Sequence, residues 1–237
     1  MKVVAIIQAR VSSSRLPAKV MLNLQGKTLL ERVIERVKLA EIVDDIWVAT
    51  STNSEDSLIQ EIVDANNINC YRGDLENVFE RFVQVIEQTK PNIVVRVTAD
   101  NPLTEPKLID YGVNYILEQK VDYVGYRNTP IGAAVEVFTA ESFMKINSYK
   151  DLTKHNLEHV TSYYYQHDDQ LNIRFIEDFY NETLDNFYVT VDTYSDYIRM
   201  AKYYTKFSEQ KLNPSEYLDS LIMDYIQMDK KPYECNY

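Results

Sequence analysis

Along the first half of the chain, apolar positions switch between two rhythms. Continuous runs of β-branched and other apolar residues at 2–8, 46–50, 69–71 and 92–97 predict strands covered on both faces, because neither face shows polar alternation. Between them the apolar positions recur at helical spacing. Leu29, Leu30, Val33, Ile34 and Val37 form one stripe, and Leu58, Ile59, Ile62 and Val63 a second. Val78, Phe79, Phe82, Val83 and Ile86 form a third, and Leu108, Ile109, Val113 and Ile116 a fourth. Strand and helix in turn predict a βαβ series: an α/β fold with a mainly parallel, right-handed wound sheet between layers of helices.

After about residue 122 the alternation loses regularity and tyrosine accumulates, with 16 of 19 tyrosines between Tyr123 and Tyr237. Tyrosine joins an apolar ring to a polar tip, which fits sugar contacts, a subunit interface, or both. No Pro/Gly/Ser-rich linker divides the halves and no repeat is visible. The expectation is a single domain over 1–237 with an inserted lobe at about 123–180. A further strand is predicted at Phe187–Thr193, and helices near 195–210 and 214–227 are expected to pack back on the sheet.

The composition, 45% hydrophobic and 26% charged, is that of an ordinary globular protein. No run approaches the roughly 18 apolar residues of a membrane span, and the N-terminal run is too short for a secretory signal, so a cytoplasmic location without membrane partners is expected. Cys70 and Cys235 stand in no metal-like or redox-like spacing and read as a buried small hydrophobe and a tail residue. His155, His159 and His167 have no Glu-rich or Cys-rich companion segment, which disfavours a helix-borne metal site.

Charge changes the picture more. The net charge is −11, which argues against a nucleic-acid backbone as partner, yet the first 38 residues hold eight basic side chains and two acidic ones. Lys27, Arg32, Arg36 and Lys38 fit a solvated helix face. Arg10, Arg15 and Lys19 instead crowd the hydroxyl-rich loop that leaves the first strand, where an α/β sheet places its ligands. Cations with hydroxyls there suit a polyphosphate. Asp100, at the end of the 92–97 strand beside Asn101, is placed to ligate a hard cation such as Mg²⁺, with capping of the helix that opens at Glu105 and Pro106 as the alternative role. Asp192 repeats the arrangement after Val191, since Ser195 or Asp196 can cap the helix that follows.

The segments QARVSSSRLPAK, GKTLLERVIERV, DIWVATS, YRGDLENVFERF, RVTADNPL, NLEHVT and VTVDTYSDY, in that order, resemble the motifs of the spore coat polysaccharide biosynthesis protein F group. That group is similar to the CMP-sugar synthetases, the cytidylyltransferases for sialic, pseudaminic and legionaminic acids and for 3-deoxy-manno-octulosonate. The resemblance runs from Val3 to about Tyr197. It implies a Rossmann-like α/β/α sandwich of the nucleotide-diphospho-sugar transferase type, whose lobe closes over the sugar and pairs subunits into a homodimer. It also implies Mg²⁺-dependent transfer of CMP from CTP to an acidic sugar, with release of pyrophosphate. Arg10 and Lys19 would take the triphosphate, with Ser14 and Arg15 beside them. Gln8, Ala9, Arg72 and Thr98 would line the pyrimidine and ribose, Asp100 and Asp192 would hold the metal, and Arg10, Lys19 and Asp100 would carry catalysis. Asn101, Glu136 and His159 would meet the acceptor.

Three departures stand out. Ala18 occupies the place of a usual glycine, Ala133-Ala134 that of Leu-Asp, and Leu157 that of an arginine. A glycosyltransferase of the same fold is the rival enzyme, but its metal usually sits on Asp-x-Asp, and here the position reads Thr98-Ala99-Asp100. A non-enzymatic binding partner on the same scaffold is the second rival.

Overall fold

The computed structural model describes residues 1–149 and 151–228. The chain opens on an interior strand, β1 (Val3–Gln8), whose side chains sort by parity: Val3, Ala5 and Ile7 enter one apolar core, Val4 and Ile6 the other. A strand buried on both faces has no polar side to show, which is why its sequence runs apolar without alternation. A loop ending in a 3-10 turn at Lys19–Met21 leads to a hairpin of β2 (Asn23–Leu24) and β3 (Lys27–Thr28), then to α1 (Leu29–Val37). Next come β4 (Asp45–Ser51), α2 (Ser57–Ala65), β5 (Asn69–Gly73), α3 (Val78–Thr89), β6 (Ile93–Thr98) and α4 (Pro106–Gln119), the predicted series.

The later half adds β7 (Tyr123–Tyr126), β8 (Glu136–Thr139), α5 (Ala140–Asn147), α6 (Lys154–Glu158), α7 (Ser162–Gln166), β9 (Ile173–Ile176), α8 (Tyr194–Gln210) and α9 (Tyr217–Gln227). Among the described residues the main sheet has seven strands in the order β5-β4-β1-β6-β8-β7-β9. β1 pairs in parallel with β4 and β6, β4 with β5, and β7 with β9, while β8 runs antiparallel to both of its neighbours. Helices α1, α2, α4, α8 and α9 cover one face. The other carries α3, α5 and α7, so much of the tyrosine-rich half is interior: Tyr123, Tyr163 and Tyr164 are buried in that second core.

Several expectations change. Phe187–Thr193 forms no ladder strand; it touches β structure only through an isolated bridge between Ile131 and Tyr188. Its backbone is satisfied by loops, with Val189 N donating to Ile131 O and Val191 N to Asp100 O. Gly132 permits this close approach: its φ is +97° and a Cβ there would lie 2.6 Å from Thr190 N. The solvated face of α1 is also corrected. Arg36 is 1% exposed, with Nε donating to Thr104 O, Nη2 to Glu105 and Nη1 to Pro214 O, and Arg32 folds back onto Leu24 O. Cys70 is half-buried, and burial pushes its thiol up to about 11. Cys235 lies outside the described residues.

The start of α8 is a capping box of Thr193 and Asp196, with Thr193 Oγ1 accepting from Asp196 N and the Asp196 carboxylate accepting from Thr193 N. Asp192 is therefore free of capping duty. Burial pushes the Asp196 carboxyl up, but hydrogen bonds from Thr193 and Arg199 outweigh it and hold it below the usual carboxylate range. Asp196→Ala is expected to lower stability by about 1 kcal/mol at neutral pH. That contribution is complete above the unfolded-state value of about 3.9 and fades as pH falls toward the folded-state value. Urea unfolding curves of the two proteins should differ at neutral pH and converge in acid.

Candidate active site

The loop that follows β1 lies at the carboxyl ends of the parallel strands, where Ala9 N donates to Ala49 O of β4. The loop starts from a fixed point, because the buried Asp56 accepts from Val11 N at 2.7 Å and also from Ser51 at the end of β4. It ends at Ala18, which takes the left-handed conformation with φ 56° and ψ 23°. This is the conformation that a glycine adopts freely and that a Cβ makes costly, by roughly 1–2 kcal/mol. The backbone nevertheless makes the turn, and Lys19 follows it into the interior.

Lys19 is 9% exposed and its Nζ reaches three oxygens: Asp100 Oδ2 at 2.8 Å, Asp192 Oδ1 at 2.9 Å and Val191 O at 3.0 Å. Arg15 Nη2 adds a 2.8 Å bond to Asp192 Oδ1. Two carboxylates that lie 92 positions apart in the chain thus share one nitrogen. Asp100 is oriented from its own turn, where Thr98 Oγ1 donates to Asp100 Oδ1 at 2.6 Å and Asn101 Nδ2 donates to Thr98 Oγ1 at 2.8 Å. It caps no helix; Glu105 caps α4. Among the described residues no group of three His, Cys, Asp or Glu is arranged to hold a metal. Two carboxylates by themselves are fewer oxygens than a hard divalent cation takes, so a metal there would need further oxygens from a ligand or from water.

Of the residues singled out from the sequence, Gln8, Ala9, Arg10, Ser14, Arg15, Lys19, Thr98, Asp100 and His159 line one cleft of about 210 Å³. Arg10 pairs with Glu158 at 3.8 Å. Arg72 is not among the lining residues: its Nε donates to Ser51 O at 2.9 Å and its Nη2 to Asn53 O at 2.7 Å. Asn101 and Glu136 line a second cavity of about 270 Å³, and Thr98 borders both. That second cavity has aromatic walls, including Tyr126, Tyr165 and Phe175, and Ala134 lies in its lining. Arg96 in its lining is bonded to Glu136, which also accepts from Tyr123 at 2.5 Å and Thr161 at 2.9 Å. Burial, reinforced by the Glu136 charge, raises the Tyr123 phenol well above its ordinary value, so it stays a donor.

Two arginines were missed from the sequence. Arg96 sits on β6 and Arg81 on α3, each an isolated cation inside an apolar pattern. A charged residue flanked by core positions on a buried face was the available signal.

Three cations, Arg10, Arg15 and Lys19, stand with two convergent carboxylates above the ends of parallel strands, and by its family the protein is a nucleotidyltransferase. The sequence profile of the family described as Cytidylyltransferase matches residues 4–230, and the chain belongs to that family. It is 32% identical over 209 residues to spore coat polysaccharide biosynthesis protein SpsF of Bacillus subtilis, covering 86% of this chain and 87% of that one. It is 32% identical over 133 residues to the 3-deoxy-manno-octulosonate cytidylyltransferase of Syntrophotalea carbinolica, covering 55% of this chain and 52% of that one. The solved structure of a cytidylyltransferase from Leptospira borgpetersenii superposes with a TM-score of 0.88 at 25% identity, covering 100% of this chain and 99% of that one. No helix among the described residues is long and apolar enough to cross a membrane.

Proposed function

We propose that the protein transfers CMP from CTP to an acidic sugar, releasing pyrophosphate, with Mg²⁺ held by Asp100 and Asp192. The observation that carries this reading is the Lys19 ammonium seated between those two carboxylates. A position that one cation already shares is a position that a divalent ion fits. Mg²⁺ there would lower the pKa of the attacking hydroxyl and offset phosphate charge. Lys19 and Arg15, released from the aspartates, would bind the leaving pyrophosphate together with Arg10, and Ser13 and Ser14 would donate to the same oxygens.

The acceptor would extend through the Thr98 boundary into the second cavity. Arg96 there is already matched by Glu136, so among the described residues the cavity lining offers no unpaired cation for a carboxylate. An acceptor carboxylate would be better placed beside Asp100 and Asp192, the residues that would hold the metal, with the uncharged ring against Tyr126, Tyr165 and Phe175. The relationship to 3-deoxy-manno-octulosonate cytidylyltransferases supports an acid of this kind.

The test is pyrophosphate release from each nucleoside triphosphate with Mg²⁺ and a panel of acidic and neutral sugars. Release from CTP with a 2-keto acid sugar is the expected result. Release only with neutral acceptors would overturn the acidic-sugar assignment, and transfer from a ready-made nucleotide sugar would favour the glycosyltransferase reading.

A further inference from the structure

Arg81 lies in the buried stripe of α3 with Val78, Phe79 and Phe82, and only 2% of it is exposed. Its Nε and Nη1 have no hydrogen-bond partner among the described residues. Leaving a guanidinium buried and unsatisfied is costly, and such a group calls for a ligand. Arg81 lines the nucleotide cleft next to Val78, Gln8 and Ala9. Room for its stem is left by Gly73, where a Cβ would lie 2.9 Å from Arg81 Cγ. Burial lowers its pKa to about 10, with Asp56 and Asp74 opposing and Arg10 assisting, so it remains a cation at neutral pH.

Position decides what it meets. Asp100 lies just past the end of β6, whereas Arg81 packs against Gly73 at the end of β5, with β4 and β1 between those two strands. Asp56 and Asp74 beside it temper its field, which suits a neutral ring with acceptor atoms better than a polyanion. Ala9 and Val78 offer that ring apolar walls.

We propose that Arg81 reads the pyrimidine, donating to the adjacent O2 and N3 acceptors of cytosine and rejecting uracil, whose N3–H would face a donor. This rests on the cytidylyltransferase reading of the cleft. Arginine presents its donors in a rigid planar fork, so two adjacent acceptors fit it and a donor at one of them leaves both groups unpaired.

The experiment is calorimetric binding of CTP, UTP and inorganic tripolyphosphate, with Mg²⁺ and without acceptor, to the wild type, Arg81→Met and Arg81→Lys. The wild type is expected to prefer CTP over UTP by at least about tenfold. Arg81→Met should lose about 30-fold for CTP, little for UTP and less than about twofold for tripolyphosphate. Arg81→Lys keeps the charge without the fork, and should lose the discrimination while remaining folded by circular dichroism. CTP affinity unchanged in either folded variant, or tripolyphosphate weakened as much as CTP, overturns the assignment. A wild type that binds CTP and UTP alike overturns it too, even if neither variant folds. A wild type that binds no CTP while binding another nucleotide strikes the cytidylyltransferase reading itself, a different failure.

Discussion

Asp100→Ala is expected to cut pyrophosphate release from CTP by on the order of a thousandfold and to leave the protein folded. Two different parts of Asp100 are involved. Its side chain holds Lys19 and accepts from Thr98, whereas its backbone carbonyl accepts from Val191 N at 2.9 Å and fixes the turn. The substitution removes the first and leaves the second. Lys19 keeps Asp192 and Val191 O as partners, so no buried ammonium is stranded. Turnover and thermal unfolding should therefore separate: a large loss in the assay with a small change in melting temperature. Near-normal turnover would remove Asp100 from the reaction.

Arg36→Met is expected to produce the largest loss of stability, about 3–5 kcal/mol in urea unfolding. Arg36 and Glu105 have side chains that are 1% and 2% exposed. Removing the guanidinium leaves a buried carboxylate whose remaining bond is a 3.2 Å one from Lys107 N, and strips Thr104 O and Pro214 O of their donor. Burial already raises the Glu105 carboxyl despite the opposing charge of Arg36. Without that charge it rises further, so the deficit is full above the raised value and narrows as pH falls and the carboxyl is protonated. Adding Glu105→Gln should recover part of the loss at neutral pH. A loss below about 1 kcal/mol for the single variant would show that the pair is not a structural node.

The parallel core was legible because burial on two faces writes itself as unbroken apolar runs. The runs at 2–8 and 92–97 became β1 and β6, and the four helical stripes became α1 to α4. Phe187–Thr193 carries the same apolar signal, and its Val189 and Val191 are indeed buried, yet burial alone does not supply a neighbouring strand. β8 was missed because Glu136, a polar residue in its short stretch, faces a cavity instead of the core. In the site, Lys19, Asp100 and Asp192 meet at one point, with Asp100 just past the end of β6 and Lys19 opening a 3-10 turn, whereas Asp192 follows a segment that forms no ladder strand. Arg72 and Arg81 were not legible in the sequence. They stand nine positions apart, and only the folded backbone determines that one is captured by the carbonyls of Ser51 and Asn53 while the other is buried with two nitrogens that have no partner among the described residues.

The turn bearing Asp100 is held from far along the polypeptide. Tyr204 Oη donates to Pro102 O across 102 residues, Lys19 reaches Asp192 across 173, and Val191 N closes on Asp100 O. During synthesis the first four parallel strands, β1 and β4 to β6, are all in hand once residue 98 has emerged, but none of these three braces exists until the chain has grown beyond position 190. A nascent chain halted at mid-length can therefore lay down part of its sheet, yet it cannot lock this corner, and the working geometry is among the last features a growing molecule acquires.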